Sequence, residues 1–218
     1  TRHQKEGARP PAPCDEDRIF LSWDRHNGAM TEEHQLNLTG IVLAGGRSRR
    51  MGEDKASIDW EGRPMLDAVV DVVAQRCDPV LVAAAEGSAA HAGLAGSTGH
   101  RWVTSEDPGS GPLGGLVAAL AVAAAADSPA AFVCATDMPL IEPELIDELL
   151  LALTPSVDAV IVHDGGRDHP MAGIYRTRAL PVLEKLVADG DLLMRSAVDA
   201  IVTHRVGVSE SRWLTNVD

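Results

Sequence analysis

The amino-acid sequence predicts an α/β fold around a mainly parallel central sheet, and three observations carry that expectation. From Thr39 onward short apolar runs alternate with longer helical stretches; the runs are compact, as in strands buried on both faces; and a double glycine directly follows the first of them. Such alternation implies right-handed βαβ crossovers.

In chain order, residues 1–38 stand apart. "RHQKEGARPPAPCDEDR" is polar and Pro-rich, "IFLSW" is a brief apolar island, and "MTEEHQLN" is polar again. That composition buries too little surface to offset ordering entropy, so a flexible N-terminal extension is expected over 1–38 and a single domain over 39–218. Strands are expected at "GIVLA" (40–44), "PVLVAAA" (79–85), "HRWVT" (100–104), "AFVCAT" (131–136), "DAVIV" (158–162), "MAGIYRT" (171–177) and "IVTHRV" (201–206). Helices are expected over 64–77, 113–126, 142–153, 178–189 and 192–200. The first and third open with proline near the N1 position, where its missing N–H costs nothing.

Composition narrows the function. A formal net charge of -13 argues against a duplex nucleic-acid binder or a polybasic membrane ligand. Cys14, Cys77 and Cys134 are widely spaced, without a CxxC pair, and read as thiols in a reducing compartment. No run approaches the length of a membrane span and no signal-peptide order opens the chain, so the expectation is a soluble, cytoplasmic protein.

Against that acidity, "GIVLAGGRSRRMGEDKA" (40–56) concentrates positive charge behind a strand. It lacks the Gly-Lys-Ser/Thr step of a Walker A loop and the GxGxxG spacing of the dinucleotide fingerprint. Gly45 and Gly46 allow a sharp turn that brings bare N–H groups close to an anion, and Gly52 allows a second close approach. Arg47, Arg50 and Lys55 can supply charge-assisted bonds to phosphate oxygens. A polyphosphate fits better than a neutral ligand, the plain alternative being an exposed basic turn. Asp137 sits just past an apolar strand, between it and the Pro139 and Pro143 turn, where a carboxylate enters the crevice in which open sheets bind ligands. An Asp before Met-Pro is also an ordinary turn residue.

"LAGGRSRRMGEDKA" (43–56) closely resembles the L-A-G-G-x-S-x-R-M-G-x-D-K-A signature of Rossmann-like nucleotidyltransferases, specifically the molybdenum cofactor guanylyltransferases. The resemblance implies a three-layer Rossmann-like nucleotidyltransferase fold. It also implies nucleotide contacts from Leu43, Ala44, Gly45 and Gly46, and phosphate binding by Lys55, with Arg47 or Arg50 beside it. "EDPGSGPLGGL" (106–116) resembles the family's D-x-x-x-G-P-L-x-G loop, which assigns Asp107 to the nucleoside and the backbone of Gly111, Pro112 and Leu113 to the guanine; Gly-Pro-Leu is equally a good helix opening. Asp137 then matches the family's D-x-P aspartate, a ligand of Mg²⁺. The closing "LTNVD" resembles the start of N-x-N/D-T-P-E-D, with Asn216 and Asp218 at matching positions and Asp218 as a second magnesium ligand or as a carboxylate that approaches the metal through water.

"DGGRDHPMAGIYRT" (164–177) is similar to the family segment in which His-Pro leads into a strand on the acceptor side. His169 is thus a candidate acceptor contact or a turn residue, and Arg195 a phosphate ligand or an exposed helix arginine. The chain departs from the family at "AAAEG" (83–87), where Glu86 or a backbone group stands in for a polar residue near the ribose. The implied reaction transfers GMP from GTP to molybdenum-molybdopterin, with molybdoenzyme chaperones or other cofactor-biosynthesis proteins as further partners. Cytidylyl transfer to the same cofactor, and a GTP-binding carrier without catalysis, are the alternatives.

Overall fold

The structure is a computed structural model and describes residues 37–44, 58–85, 100–105 and 109–217. The chain divides into Thr1–His34 and Gln35–Asp218, and every described residue belongs to the second unit.

Seven strands form one sheet in the order β5-β4-β1-β6-β8-β7-β9: β1 Leu38–Leu43, β4 Val80–Ala85, β5 Arg101–Ser105, β6 Ala130–Ala135, β7 Ala159–Asp164, β8 Arg167–Arg176 and β9 Thr203–Val206. β2 (Asp59–Trp60) and β3 (Arg63–Pro64) form a separate small hairpin that the sequence reading did not anticipate. β1 pairs in parallel with both β4 and β6, in the registers Gly40↔Val80 and Gly40↔Phe132. The chain therefore builds outward to one side of β1 and then to the other, which makes the β1/β6 boundary the topological switch point.

Helices cover both faces. α1 (Met65–Val73) packs on β1, and α3 (Pro143–Ala152) on β7, β8 and β9. On the other face, Ile41, Leu43, Leu81, Val103, Val133 and Tyr175 share a core with α2 (Gly111–Ala125), α4 (Leu180–Ala188) and α5 (Met194–Ala200). The expected three-layer α/β architecture is present. α2 is apolar nearly all round and rich in Ala and Gly, as a helix pressed into the core should be. Close approach also explains Gly40: a Cβ there would lie 2.4 Å from Val73 Cγ1 of α1.

One strand breaks the parallel pattern. β8 runs antiparallel to both β6 and β7, because Gly165 and Gly166, with φ of +57° and +78°, close a two-residue hairpin after β7. β8 is also longer than expected and carries a bulge: Ile161 pairs with Gly173 and Val162 with His169, so Pro170–Ala172 are extra residues on β8. Pro170 has no N–H for a ladder bond, and its carbonyl instead accepts the phenol of buried Tyr175 at 2.6 Å. α1 is shorter than expected, closing at Val73, whose carbonyl accepts the Arg76 and Cys77 N–H groups.

At the opposite edge of the sheet, Arg176 is 3% exposed and donates to the carbonyls of Val157 and Thr154. Arg178 donates to Asp158 at 2.8 Å, and Asp158 also accepts the Val202 N–H. Burial works to raise the Asp158 carboxyl, but the Arg178 and Val202 hydrogen bonds outweigh it and hold it below the usual carboxylate range. A carboxyl depressed by folding stabilises the fold above its unfolded pKa and loses that effect as pH falls through its folded value.

Two outcomes are expected. Gly173→Ala places a Cβ 2.7 Å from the Val160 carbonyl oxygen, and backbone cannot yield cheaply; urea denaturation should register a loss of about 1–3 kcal/mol. Asp158→Asn should lower the Tm at pH 7 and flatten its decline on acidification below pH 4; parallel declines in both proteins would remove Asp158 as a source of acid sensitivity.

Candidate active site

The site is assembled where β1 and β6 end. The Leu43 carbonyl, last in β1, accepts two hydrogen bonds from Thr136, one from its N–H at 3.2 Å and one from its Oγ1 at 3.1 Å. Thr136 is buried, and it immediately precedes Asp137. On the other flank the Ala44 N–H donates to the Ala83 carbonyl at 2.8 Å. The end of β1 and the residue before Asp137 are thus fixed to one another through two donors of Thr136 on a single carbonyl oxygen.

Asp137 is half-buried, with its Oδ1 out of contact with solvent. Behind it the chain turns through Met138 N–H to Ala135 carbonyl and Ile141 N–H to Met138 carbonyl before α3 begins. The C-terminal segment returns to the same point. After β9, Ser209 donates its N–H and hydroxyl to Glu148 of α3, Arg212 donates to Glu142 at 2.9 Å, and Trp213 and Leu214 are buried. Val217 then donates its N–H to the Asp137 carbonyl at 2.9 Å. This strap brings Asn216 and Val217 beside the acidic centre.

The N-terminus of α2 forms the third wall. Ser110, 2% exposed, precedes the helix, and its Oγ lies 2.8 Å from Ser105 Oγ at the end of β5. Gly111 has φ +62°, a conformation that favours glycine. Pro112 occupies the first turn, where its missing N–H costs nothing. At Gly114 a Cβ would fall 1.8 Å from Ser110 Oγ and 2.2 Å from Ser110 Cβ, so no larger residue fits without displacing Ser110. The Leu43, Ala44 and Leu113 side chains are all buried. Burial of these side chains leaves backbone groups as what the three residues have to offer at this edge.

Among the remaining candidates, Gly45, Gly46, Arg47, Arg50, Gly52, Lys55, Glu86, Asp107 and Asp218 lie outside the described residues. Arg195 is 87% exposed on α5, within 3.8 Å of Asp199 one turn on. Cys134 is fully buried, and burial pushes its thiol well up, so it stays a protonated core residue. His169 lies on β8 beside the bulge; burial and then the nearby Arg167 charge lower its pKa, favouring the neutral ring. The sequence reading missed Thr136, the Ser105–Ser110 contact and a polar cluster of His163, Asp168 and Arg205. Their shared signal is position: each lies at or next to a strand end on the carboxyl edge.

Comparison with known proteins fits this geometry. The description "MobA-like NTP transferase domain" matches residues 40–205, from within β1 to within β9. The chain belongs to the MobA-like NTP transferase family. It is 42% identical over 185 residues to the probable molybdenum cofactor guanylyltransferase of Mycobacterium avium (strain 104), covering 84% of this chain and 91% of that one. The Mycobacterium tuberculosis (strain ATCC 25177 / H37Ra) protein of the same name is 38% identical over 183 residues, covering 83% and 89%. Among solved structures, molybdopterin-guanine dinucleotide biosynthesis protein A from Archaeoglobus fulgidus superimposes with a TM-score of 0.70 at 20% identity, over 83% of this chain and 92% of that one. A nucleotidyl transferase from Methanothermobacter gives 0.65 at 18% identity, covering 83% and 91%. These two likenesses bear on the fold, which is that of the MobA-like transferases.

Gly114→Ala should displace Ser110 and with it the start of α2. Nucleoside triphosphate binding, followed by calorimetry, should weaken by about tenfold, or about 1.4 kcal/mol. Unaltered binding would show that the Ser110 position has no bearing on the nucleotide.

Proposed function

We propose that this protein is a molybdenum cofactor guanylyltransferase, transferring GMP from GTP to molybdenum-molybdopterin and releasing pyrophosphate. The observation that carries this reading is the joining of the glycine-loop strand to the acidic centre at the switch point, through Thr136 and Leu43. Relatives 42% identical over most of the chain, named for guanylyl transfer, support guanine over cytosine.

The donor set suits Mg²⁺. Among the described residues no three His, Cys, Asp or Glu side chains converge, while Asp137 presents a hard oxygen donor at the strand end. Magnesium typically takes one or two carboxylates and completes its shell with water and substrate phosphates. Asp137 would hold it, with Asp218 as the second carboxylate; when bound, the ion supplies neutralisation of phosphate charge.

The chain's own residues perform the rest of the work. In the transfer, an oxygen of the acceptor's terminal phosphate forms a bond to the α-phosphorus of GTP while the α–β bridging P–O bond breaks, and its electron pair leaves with pyrophosphate. An ionised acceptor phosphate brings no proton to remove, so no general base is required. Positioning and charge stabilisation carry such a displacement. The glycine loop and Lys55, with Arg47 or Arg50, hold the β- and γ-phosphates and stabilise the leaving group. Asp107 and the backbone of Gly111–Leu113 orient the nucleoside, and the buried side chains of Leu43 and Leu113 keep that backbone in place. Thr136 holds Asp137 in register with the loop.

The product would pass to molybdoenzyme chaperones or other cofactor-biosynthesis proteins. Cys77 and Cys134, buried free thiols, suit a reducing compartment such as the cytoplasm, and among the described residues no helix is long and apolar enough to cross a membrane.

The test is magnesium-dependent pyrophosphate release with molybdenum-loaded molybdopterin as acceptor, comparing GTP, CTP and ATP. Release with GTP is expected. Release with CTP alone would establish cytidylyl transfer, and tight GTP binding without release would establish a carrier. Lys55→Ala should lower turnover about a hundredfold or more, as loss of one preorganised donor does.

A further inference from the structure

The carboxyl edge of the sheet has a second half, on the far side of β6 from β1. α2 and its glycine-rich start lie over β1, β4 and β5, on one side of Asp137. On the other side stand β8, β7 and β9, whose ends at this edge carry a connected set of polar groups. Asp168, second in β8, accepts from His163 Nδ1 at 2.7 Å and from Arg205 Nε at 2.8 Å. Arg205 also donates to Asp199 of α5 at 2.9 Å. One carboxylate thereby ties three neighbouring strands, and the second fixes the guanidinium from the helix layer. The His163 and Arg205 hydrogen bonds hold the Asp168 carboxyl below the usual carboxylate range, so it is an ionised acceptor and the His163 proton lies on Nδ1.

Two further features suit a site rather than a fastening alone. The bulge at Pro170–Ala172 lies immediately beyond His169 and re-aims the start of β8, as bulges beside active sites do. It is locked from within by the Tyr175 phenol, so the altered course of the strand is a fixed feature. His163 meanwhile keeps 43% of its side chain exposed although one ring nitrogen is engaged. Its Nε2 lies across the ring from the Nδ1 that meets Asp168. Strand spacing puts the end of β7 about 10 Å along the edge from the end of β6, two strands over.

We propose that His163 is a specificity-determining contact for the acceptor, its Nε2 receiving a hydrogen bond from an N–H of the pterin ring, with Asp168 and Arg205 as the positioning residues that fix its tautomer and orientation. The inference rests on the guanylyltransferase reading. The acceptor phosphate must lie at Asp137 to react, so the body of the acceptor extends away from the nucleotide, across β8 toward β7. With its Nδ1 committed to the Asp168 carboxylate, the ring has Nε2 left to receive a hydrogen bond, complementary to the N–H groups of an aminopyrimidinone.

The experiment measures equilibrium binding of molybdopterin by pterin fluorescence and of GTP by calorimetry, in the full-length wild-type protein and in His163→Ala, His163→Gln and Asp168→Asn, with Tm recorded for each. His163→Ala should weaken molybdopterin binding about tenfold or more and leave the GTP Kd unchanged. His163→Gln, which restores a polar atom near Nε2, should recover part of the loss, and Asp168→Asn should reproduce it even at temperatures well below its Tm. Equal molybdopterin affinity in wild type and His163→Ala, or equal weakening toward GTP, would overturn the inference and leave the cluster a fastening between strands. A wild-type protein that binds GTP but not molybdopterin would overturn the guanylyltransferase reading itself, and the inference with it.

Discussion

The paired hydrogen bonds that Thr136 gives to the Leu43 carbonyl are the constraint on which the site depends. They join the ends of two parallel strands at the place where the sheet changes its direction of growth, and both partners are buried. Each such bond contributes about 0.5–1.5 kcal/mol net, but an orphaned buried carbonyl would cost about 1–3 kcal/mol, so the arrangement is favoured chiefly by what breaking it would cost. Its geometric effect is larger than its energy. The glycine-rich stretch of the sequence follows Leu43 and an acidic residue follows Thr136, so the ends of β1 and β6 are held in one register.

Around that joint the molecule is asymmetric. On the β4–β5 side the chain uses small residues: a Cβ at Gly115 of α2 would already reach ordinary contact, 3.6 Å, with Leu43 and Ala83, and Gly114 leaves room for Ser110. On the β8–β9 side the chain uses charged side chains, and Asp168, Asp199, Glu142 and Glu148 each hold a named partner from another element or turn. The acidity of the chain is therefore in part structural, carboxylates serving as acceptors that fasten edge strands and the C-terminal strap.

Exposed ion pairs contribute little on their own, and none of these carboxylates explains the stability of the domain. Their role is positional. Glu148 and Glu142 draw the segment after β9 back across α3 until Val217 reaches Asp137, so that the last residues of the chain meet a strand three places away in the sheet. Two distant parts of the sequence, 136–138 and 216–217, become one site by this route.

The sequence by itself determined the layered fold, because alternation of apolar strand runs with helical stretches leaves few alternatives, and it marked Asp137 and the 43–56 loop, because glycine, basic and acidic residues at strand ends have chemical reasons to be there. It determined strand order less well. The glycine pair in "DGGR" permits the tight turn that sets β8 antiparallel to β7, but nothing local says that β8 then inserts between β6 and β7. Thr136, Ser110 and the His163–Asp168–Arg205 cluster were invisible as chemistry because each acquires its partner only across strands, from residues 5 to 93 positions away. Propensity and motif are properties of neighbours in the chain, whereas a hydrogen bond between strand ends is a property of the register and the bulge, which only the folded sheet decides.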